Sequence, residues 1–206
     1  MNVFEQKLVQ NAQTIFGSFE KWNALLELAQ LQPQITRHWL TIGTKKLREY
    51  FTANPSEGWR WNEWGCSTDT KWFLDRFGFD SLAIGFGWDY EFHLYVNDMK
   101  RFDTAFIAQQ LKTEKYAKLV MPFGLNPRIN GRSGSMIMAA ALDYNFGNLN
   151  SGKVSKDELA WYAAHETDKF VCQAAFKVEQ FIRDENMNRL LIELNEEAES
   201  KAKNRE

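Results

Sequence analysis

The chain lacks the features that define several common protein classes. Its 206 residues include only two cysteines, Cys66 and Cys172, which are too few for a disulfide framework and have no metal-ligand spacing. No run reaches the roughly 18 apolar residues of a membrane-spanning helix, and residues 1–7 show no secretory signal. We therefore expect a soluble cytoplasmic protein with reduced, buried thiols and no membrane partner.

The net charge is small, and catalytic motifs are scarce. The formal net charge is -2 at pH 7, which gives no overall attraction to nucleic acid. His165 has no second histidine four residues later, so the zinc-protease motif is absent. Gly85 and Gly87 lack the third glycine and the following helix of a phosphate-binding loop. The sequence thus disfavours a protease and a nucleotide-binding protein.

Aromatic residues are abundant and unevenly distributed. Five of the eight tryptophans and twelve of the thirty aromatic residues lie within residues 59–95. Aromatic side chains bury the most apolar area per residue, so this cluster marks a core, an interface or a stacking surface. The sequence leaves these three interpretations open.

The clearest structural pattern is an alternation of apolar and other side chains over residues 82–97. The apolar positions are Leu82, Ile84, Phe86 and Trp88 before a short link, and Phe92, Leu94 and Val96 after it. Period two on both sides of a link predicts an antiparallel hairpin with one buried face. Glu91, His93 and Tyr95 are then expected on the solvated face.

Helices are predicted before this hairpin. The first 54 residues show helical spacing, Ser18 can cap a second helix, and Pro33 is expected to separate that helix from a third. Ser67, Thr68 and Asp69 are expected to cap a further short helix that reaches Phe77.

Helical patterns return after the hairpin. Asp103 or Thr104 can open a helix, and residues 119–121 are consistent with a short strand. Ser155 and Glu158 match the capping box, which predicts the start of a long helix. A last helix is expected over roughly residues 185–200.

These patterns predict an α+β fold: amino-terminal helices, a small antiparallel sheet centred on the hairpin 82–97, and long carboxy-terminal helices. One domain is expected over residues 1–200. Its parts are a helical part (1–54), a sheet-containing part (57–150) and a second helical part (155–200), followed by a disordered tail (201–206).

One set of polar residues could support metal-dependent catalysis. Asp80 precedes the first strand of the hairpin, and Glu91 and His93 lie on one face of the second. Carboxylates on neighbouring strands can hold a divalent metal, which can then activate a water for phosphodiester attack. Nucleases of the PD-(D/E)XK superfamily use such a hairpin, with a lysine where His93 stands here. The alternative interpretation is therefore a divergent nuclease with a divalent metal.

Four segments resemble the carboxy-terminal module of bacterial and phage PD-(D/E)XK-type proteins. They are Thr68–Asp75, Ser81–Trp88, Leu111–Tyr116 and Leu159–Tyr162, and the resemblance covers roughly residues 20–185. It implies a stand-alone module of a defence-related or phage-related protein without the catalytic half. The resemblance transfers no active-site residue.

Two groups of residues are candidates for binding a partner. The first is basic and lies within or before the glycine-rich loop 124–135, where guanidinium and ammonium groups could meet phosphates or carboxylates. The second is aromatic and surrounds an arginine, a combination typical of protein interfaces. The candidates are Lys112, Lys115, Arg128 and Arg132 in the first group, and Trp59, Arg60 and Trp61 in the second.

The sequence therefore favours a non-catalytic, cytoplasmic binding module that engages a protein or a nucleic acid and needs no cofactor. A nuclease using Asp80, Glu91 and His93 is the alternative. A carbohydrate-binding domain using Trp59 and Trp61 is a third possibility, although extracellular features are lacking.

Overall fold

The computed structural model describes residues 3–64, 66–87, 91–127, 136–140, 144, 146 and 154–204. These residues form the predicted α+β fold, with helices at both ends of the chain and an antiparallel sheet between them. The sheet is larger than the predicted hairpin, since it has six strands.

The described helices are α1 (Val3–Ile15), α2 (Phe19–Ala53), α3 (Thr104–Gln110), α4 (Glu114–Val120), α5 (Lys156–His165), α6 (Thr167–Arg183) and α7 (Glu185–Lys203). The strands are β1 (Trp59–Trp64), β2 (Cys66–Leu74), β3 (Leu82–Phe86), β4 (Phe92–Val96), β5 (Leu125–Pro127) and β6 (Met136–Ala140). The strand order is β1-β2-β3-β4-β6-β5, and every neighbouring pair is antiparallel.

The amino-terminal helices differ from the prediction at Pro33. Ser18 caps α2 as expected, since its hydroxyl accepts a hydrogen bond from the Lys21 amide. Helix α2 then continues through Pro33 to Ala53, so the predicted separation into two helices is wrong. An internal proline removes one backbone hydrogen bond and costs about 3 kcal/mol, which the packing of the second half of α2 offsets.

Strand β2 replaces the short helix predicted after Ser67. The capping residues Ser67 to Asp69 lie inside the strand, which pairs with β1 on one side and with β3 on the other. Thr70 and Trp72 are residues with high strand propensity, and pairing with two neighbouring strands outweighs the local capping signal. The prediction for this segment is therefore wrong.

The predicted hairpin is confirmed in strands β3 and β4. Leu82 pairs with Val96, Ile84 with Leu94, and Phe86 with Phe92. One face of these strands packs on the helices: every apolar residue of these three pairs is at most 4% exposed.

The other face of the hairpin is partly buried, which the prediction missed. His93 and Ala83 are 1% and 0% exposed, and a Cβ atom on Gly85 would lie 3.0 Å from the Trp64 ring. Trp64 contacts Tyr95 at a ring-centroid distance of 3.8 Å. The expected solvated face is thus covered by a side chain from β1, and glycine at position 85 lets that ring approach the sheet.

The second half of α2 packs closely on the carboxy-terminal helices. Leu40, Leu47 and Phe51 are buried, and a Cβ atom on Gly43 would lie 2.7 Å from the Ala163 Cβ. Only a residue without a side chain allows this approach of α2 to α5. Phe51 reaches the sheet, where its ring contacts Trp72 at 5.2 Å.

The carboxy-terminal helices agree with the prediction in their caps and differ in their limits. Ser155 and Glu158 form the predicted capping box. The predicted long helix is interrupted at Glu166, which separates α5 from α6. Helix α7 continues to Lys203, so residues 201–203 belong to the helix and not to the predicted tail.

Two further predictions need correction. Residues 119–121 do not form a strand, because they end α4 and begin a single 3-10 turn, Met121–Phe123. Asp103 does cap α3, since its carboxylate accepts a hydrogen bond from the Phe106 amide. The thiol of Cys172 was expected to be buried, but this residue is exposed on α6.

Candidate partner-binding site

The predicted aromatic group lies around a cavity at one edge of the sheet. Trp59, Arg60 and Trp61 of strand β1 all line this cavity, whose volume is about 550 Å³. The end of α2, the loop that follows it and the end of α6 complete the wall. The other lining residues are Phe51, Thr52, Pro55, Ser56, Gly58, Trp72, Asp75 and Ile182. Cavities of about 300–1,000 Å³ are typical of ligand-binding sites.

The tryptophans form the rigid part of the wall. Trp59 is 9% exposed, and its indole N–H donates to the Asn188 side chain of α7 at 3.1 Å. Trp72 is 1% exposed and is held by the Phe51 ring. Trp61 is only partly buried, so part of its surface remains open to a partner. The cluster is therefore both core and surface.

The charged part of the wall is an ion pair between Arg60 and Asp75. The Arg60 Nε atom lies 2.6 Å from the Asp75 Oδ1 atom, and both side chains are more than half exposed. An exposed pair of this kind contributes little to stability, so its two charges can be exchanged for those of a partner at small cost.

Strand β1 is an edge strand of the sheet. It pairs with β2, and no other described strand lies beside it. The backbone groups on the free side of an edge strand can pair with an extended segment of another chain. The cavity lies next to this edge, so a segment that paired with β1 could place a side chain in the cavity.

The predicted basic group does not join this site. Lys115 lies on α4 and its ammonium donates to the Glu193 carboxylate of α7 at 2.6 Å, an interaction that raises the pKa of Lys115. Lys112 is exposed just after α3, which packs near β6 toward the opposite edge of the sheet. Arg128 and Arg132 lie outside the described residues.

The structure separates the residues of the nuclease alternative. Asp80 lies at the end of the hairpin where β4 ends, since its backbone carbonyl accepts hydrogen bonds from the amides of Asn97 and Asp98. Glu91 lies at the other end, between β3 and β4, where its carbonyl accepts a hydrogen bond from the Gly87 amide. The two carboxylates therefore lie at opposite ends of a hairpin whose five paired positions alone span about 13 Å.

This separation excludes one shared metal ion, because metal–oxygen bonds are about 2–2.6 Å long. His93 lies between the two ends and is 1% exposed. Among the described residues, no three histidine, cysteine, aspartate or glutamate side chains are close enough to hold a metal. The grouping of Asp80, Glu91 and His93 is therefore wrong.

A buried lysine lies beside Asp80 and was not singled out from the sequence. Lys71 of β2 is fully buried, and its ammonium donates to the carbonyl oxygens of Phe79 and Ser81 at 2.7 and 2.9 Å. Its Nζ atom also lies over the rings of Phe79 and Tyr95. Burial lowers the pKa of Lys71 to about 7, and the nearby Asp80 carboxylate opposes that shift. These contacts fix the turn between β2 and β3.

Several residues of the cavity could not be found from local patterns. Phe51 and Ile182 belong to helices far apart in sequence, and Trp72 was expected on a helix. The combination of two tryptophans around Arg60 was the only usable signal.

No family model, no curated protein and no solved structure matches this chain. The resemblance to PD-(D/E)XK-type modules therefore stays a prediction. None of the described helices combines the length and the apolar character that a membrane span requires.

Proposed function

We propose that the chain is a non-catalytic binding module that holds an extended segment of a protein partner against strand β1. The observation that supports this function is the cavity of about 550 Å³ beside the free edge of β1. Backbone pairing with an edge strand supplies affinity, and a pocket for alternate side chains supplies specificity.

The wall of the cavity indicates which side chain the partner inserts. Trp61 offers a partly exposed ring surface, and the buried side chains of Trp72 and Ile182 complete the apolar wall. A large apolar or aromatic side chain fits this wall, since tryptophan and arginine are the residues on which interfaces most often depend. A charged group next to that side chain would meet Arg60 or Asp75.

The charges around the site favour a protein over a nucleic acid. Two arginines at β1 already face carboxylates: Arg60 pairs with Asp75, and Arg48 pairs with Glu63. Protein cations bind nucleic acid by neutralising its phosphates and releasing the counterions that surround them. A cation that already faces a carboxylate supplies little of this attraction.

We further place this module in the cytoplasm and associate it with phage or host defence. The small number of cysteines supports a reducing compartment. The segments that resemble the PD-(D/E)XK-type module support the association with defence. Neither assignment is needed for the binding mode at β1.

Selection of a random peptide library on the full chain, followed by calorimetric titration of the selected peptides, tests the function. We expect peptides with one large apolar residue, whose dissociation constants rise at least tenfold in Trp61→Ala and in Thr52→Trp. The second variant places a large side chain at the cavity wall. Trp161→Ala is the matched control, because Trp161 is an exposed tryptophan on α5 away from the cavity.

Thermal unfolding of the same variants separates binding from folding. If no selected peptide distinguishes Trp61→Ala from Trp161→Ala while both variants remain folded, the proposed function is wrong. The proposed function is also wrong if the selected peptides bind at a site that includes neither β1 nor the cavity.

A further inference from the structure

Antiparallel pairing with β2 determines which backbone groups of β1 face the free edge of the sheet. Gly58 and Asp75 continue the register of the two strands, and the Asp75 amide donates to the Gly58 carbonyl at 2.9 Å. In an antiparallel pair, residues that bond to the neighbouring strand alternate with residues that do not. Arg60 and Asn62 are therefore the next residues of β1 that bond to β2. The residues between and beside them turn their N–H and C=O groups toward the free edge.

Three residues face this edge, namely Trp59, Trp61 and Glu63, and two of their amides are already bonded. The Trp59 amide donates to the Ser56 carbonyl at 3.1 Å. The Glu63 amide donates to the side-chain oxygen of Asn62 at 2.8 Å. Within the part of the chain that the structure describes, the Trp61 amide has no such bond. It is therefore the donor that β1 can offer to a partner, together with the three outward carbonyls.

The two occupied amides are held by local features of the chain. Residues 56–59 form a turn closed by the bond from Trp59 to Ser56, and Gly58 at its third position has a φ of 74°. A positive φ at this position is what a type II turn requires. Asn62 is exposed and bonds the amide of the residue that follows it. The free edge is thus partly closed on both sides of Trp61.

We infer that a partner segment pairs antiparallel with β1 in a single register, with its inserted apolar residue directly opposite Trp61. This inference rests on the proposed function and specifies the segment that the site accepts. In this register, the inserted residue exchanges two backbone hydrogen bonds with Trp61. Directly opposite residues share a face of the sheet, so the inserted side chain lies beside the Trp61 ring, which lines the cavity.

The flanking positions of the segment gain less from this edge. The residues two positions before and two positions after the inserted one lie opposite Glu63 and Trp59. Their amides can donate to the carbonyls of these residues, but their own carbonyls meet amides that are already bonded. Recognition is therefore centred on the inserted residue, which must carry an amide hydrogen and so is never proline.

A parallel segment would make a different set of bonds. Its residue beside Trp61 would turn its own amide away from β1, and the two neighbours of that residue would supply the bonds. Antiparallel pairing is slightly more stable per residue. It also joins every neighbouring pair of strands in this sheet. These two facts favour the antiparallel register.

Methylation of single backbone amides in the peptide tests the register. The probe is the tightest-binding peptide from the library selection, synthesised with one N-methyl group at a time. Methylation of the inserted residue should raise the dissociation constant at least about tenfold, because it removes a donor and places a methyl group against β1. Methylation of either immediate neighbour should change it less than about twofold, since these amides point away from β1. Equal losses at all three positions, or losses confined to the neighbours, contradict the inference.

Hydrogen exchange of the chain, followed by NMR, gives a second readout. In the free chain, the Trp61 amide should exchange faster than the amides of Trp59 and Glu63, which are already bonded. The bound peptide should slow exchange at Trp61 and leave the other two amides nearly unchanged. Exchange at Trp61 that is slow before binding, or that stays fast in the complex, overturns the inference.

The Asn62 side chain provides a variant that should strengthen binding. Asn62→Ala frees the Glu63 amide to accept a further carbonyl of the partner, so the dissociation constant should fall about twofold to tenfold. Asn62→Asp is the matched control, because its carboxylate can still accept from the Glu63 amide. A peptide cut just before the inserted residue lacks that carbonyl and should bind Asn62→Ala and the unchanged chain alike. Equal affinity of both chains for the uncut peptide contradicts the assigned edge.

Failure of this inference is distinct from failure of the proposed function. A peptide whose affinity falls in Trp61→Ala, but does not depend on which amide is methylated, leaves the cavity site standing and refutes the register. Absence of any peptide that binds at β1 and the cavity refutes both.

Discussion

Asn195 of α7 and Leu82 of β3 exchange two hydrogen bonds. The Leu82 amide donates to the Asn195 side-chain oxygen at 2.8 Å, and the Asn195 side-chain NH₂ donates to the Leu82 carbonyl at 3.0 Å. Both residues are at most 1% exposed. The side-chain amide therefore satisfies the backbone groups of Leu82 as a neighbouring strand would.

Replacing Asn195 should destabilise the fold through this pair. Asn195→Leu leaves a buried N–H and a buried C=O without partners, which costs about 1–3 kcal/mol for each group. We expect the free energy of unfolding in urea to fall by about 2–5 kcal/mol, with faster hydrogen exchange at the Leu82 amide. Asn188→Leu is a partial control, because the Asn188 side chain is less buried. Unchanged exchange at Leu82 would contradict this role of Asn195.

Arg48 should matter more than the other arginines in ion pairs. Its side chain is buried and donates to the Thr70 hydroxyl, the Asp69 carbonyl and the Glu63 carboxylate. Arg48→Ala should lower the free energy of unfolding by about 2–4 kcal/mol, because three charge-assisted bonds are lost. Arg48→Lys should recover little of this, since an ammonium cannot reproduce the guanidinium geometry.

An exposed ion pair supplies the control for Arg48. Arg76 and Glu196 lie 2.6 Å apart, and both side chains are half exposed or more. Arg76→Ala should change the free energy of unfolding by less than about 1 kcal/mol. Equal losses in Arg48→Ala and Arg76→Ala, measured by chemical denaturation, would show that burial of Arg48 is not decisive.

Gly43 and Ala163 should show coupled effects on stability. Gly43→Ala introduces a Cβ atom 2.7 Å from the Ala163 Cβ and 2.8 Å from the Phe170 ring. Overpacking of this kind costs about 1–3 kcal/mol, whereas alanine gains at most about 1 kcal/mol over glycine in helix propensity. We therefore expect Gly43→Ala to lower the free energy of unfolding. Adding Ala163→Gly removes one of the two clashes, so part of the loss should be recovered. A double-mutant cycle with purely additive terms would contradict direct contact at this point.

Lys71 should make the stability of the protein depend on pH above neutrality. Burial lowers the pKa of Lys71 to about 7, whereas a lysine in the unfolded chain titrates near pH 10.4. Between these values the unfolded chain binds more protons at this residue than the folded chain. The free energy of unfolding therefore rises with pH from about 7 toward 10.

The variant Lys71→Met removes this titration. In matched urea titrations, we expect the free energy of unfolding of the unchanged chain to increase relative to that of the variant as the pH is raised from 7 to 9. The variant also leaves the carbonyls of Phe79 and Ser81 without the lysine donor, a loss that shifts its whole stability profile without changing the slope with pH. Parallel pH profiles of the two proteins would contradict the lowered pKa.

The sequence predicted those features that depend on nearby residues. Ser18, Asp103 and Ser155 cap their helices as expected, because a cap bonds an amide only three residues away. The hairpin of β3 and β4 was also predictable, since its two alternating segments are separated by a short link.

Features that depend on distant residues were not predictable. Ser67, Thr68 and Asp69 carry a capping signal, and only the pairing of β2 with two other strands overrides it. His93 was expected at the surface because nothing local shows that Trp64 covers that face. The candidate site combines both cases: Trp59 and Trp61 were identified because they surround Arg60, whereas the cavity depends on the end of α6.

The position of Pro33 determines how α2 responds to load. Pro33 has no amide hydrogen to bond the carbonyl of Ala29, so the helix lacks one backbone hydrogen bond beside Gln32, which contacts Asp157 of α5. Trp22 lies 11 residues before it, a lever of about 16 Å at 1.5 Å per residue. A sideways force on this segment should bend α2 at Pro33. The contact of Gly43 with α5 should then stay undisturbed.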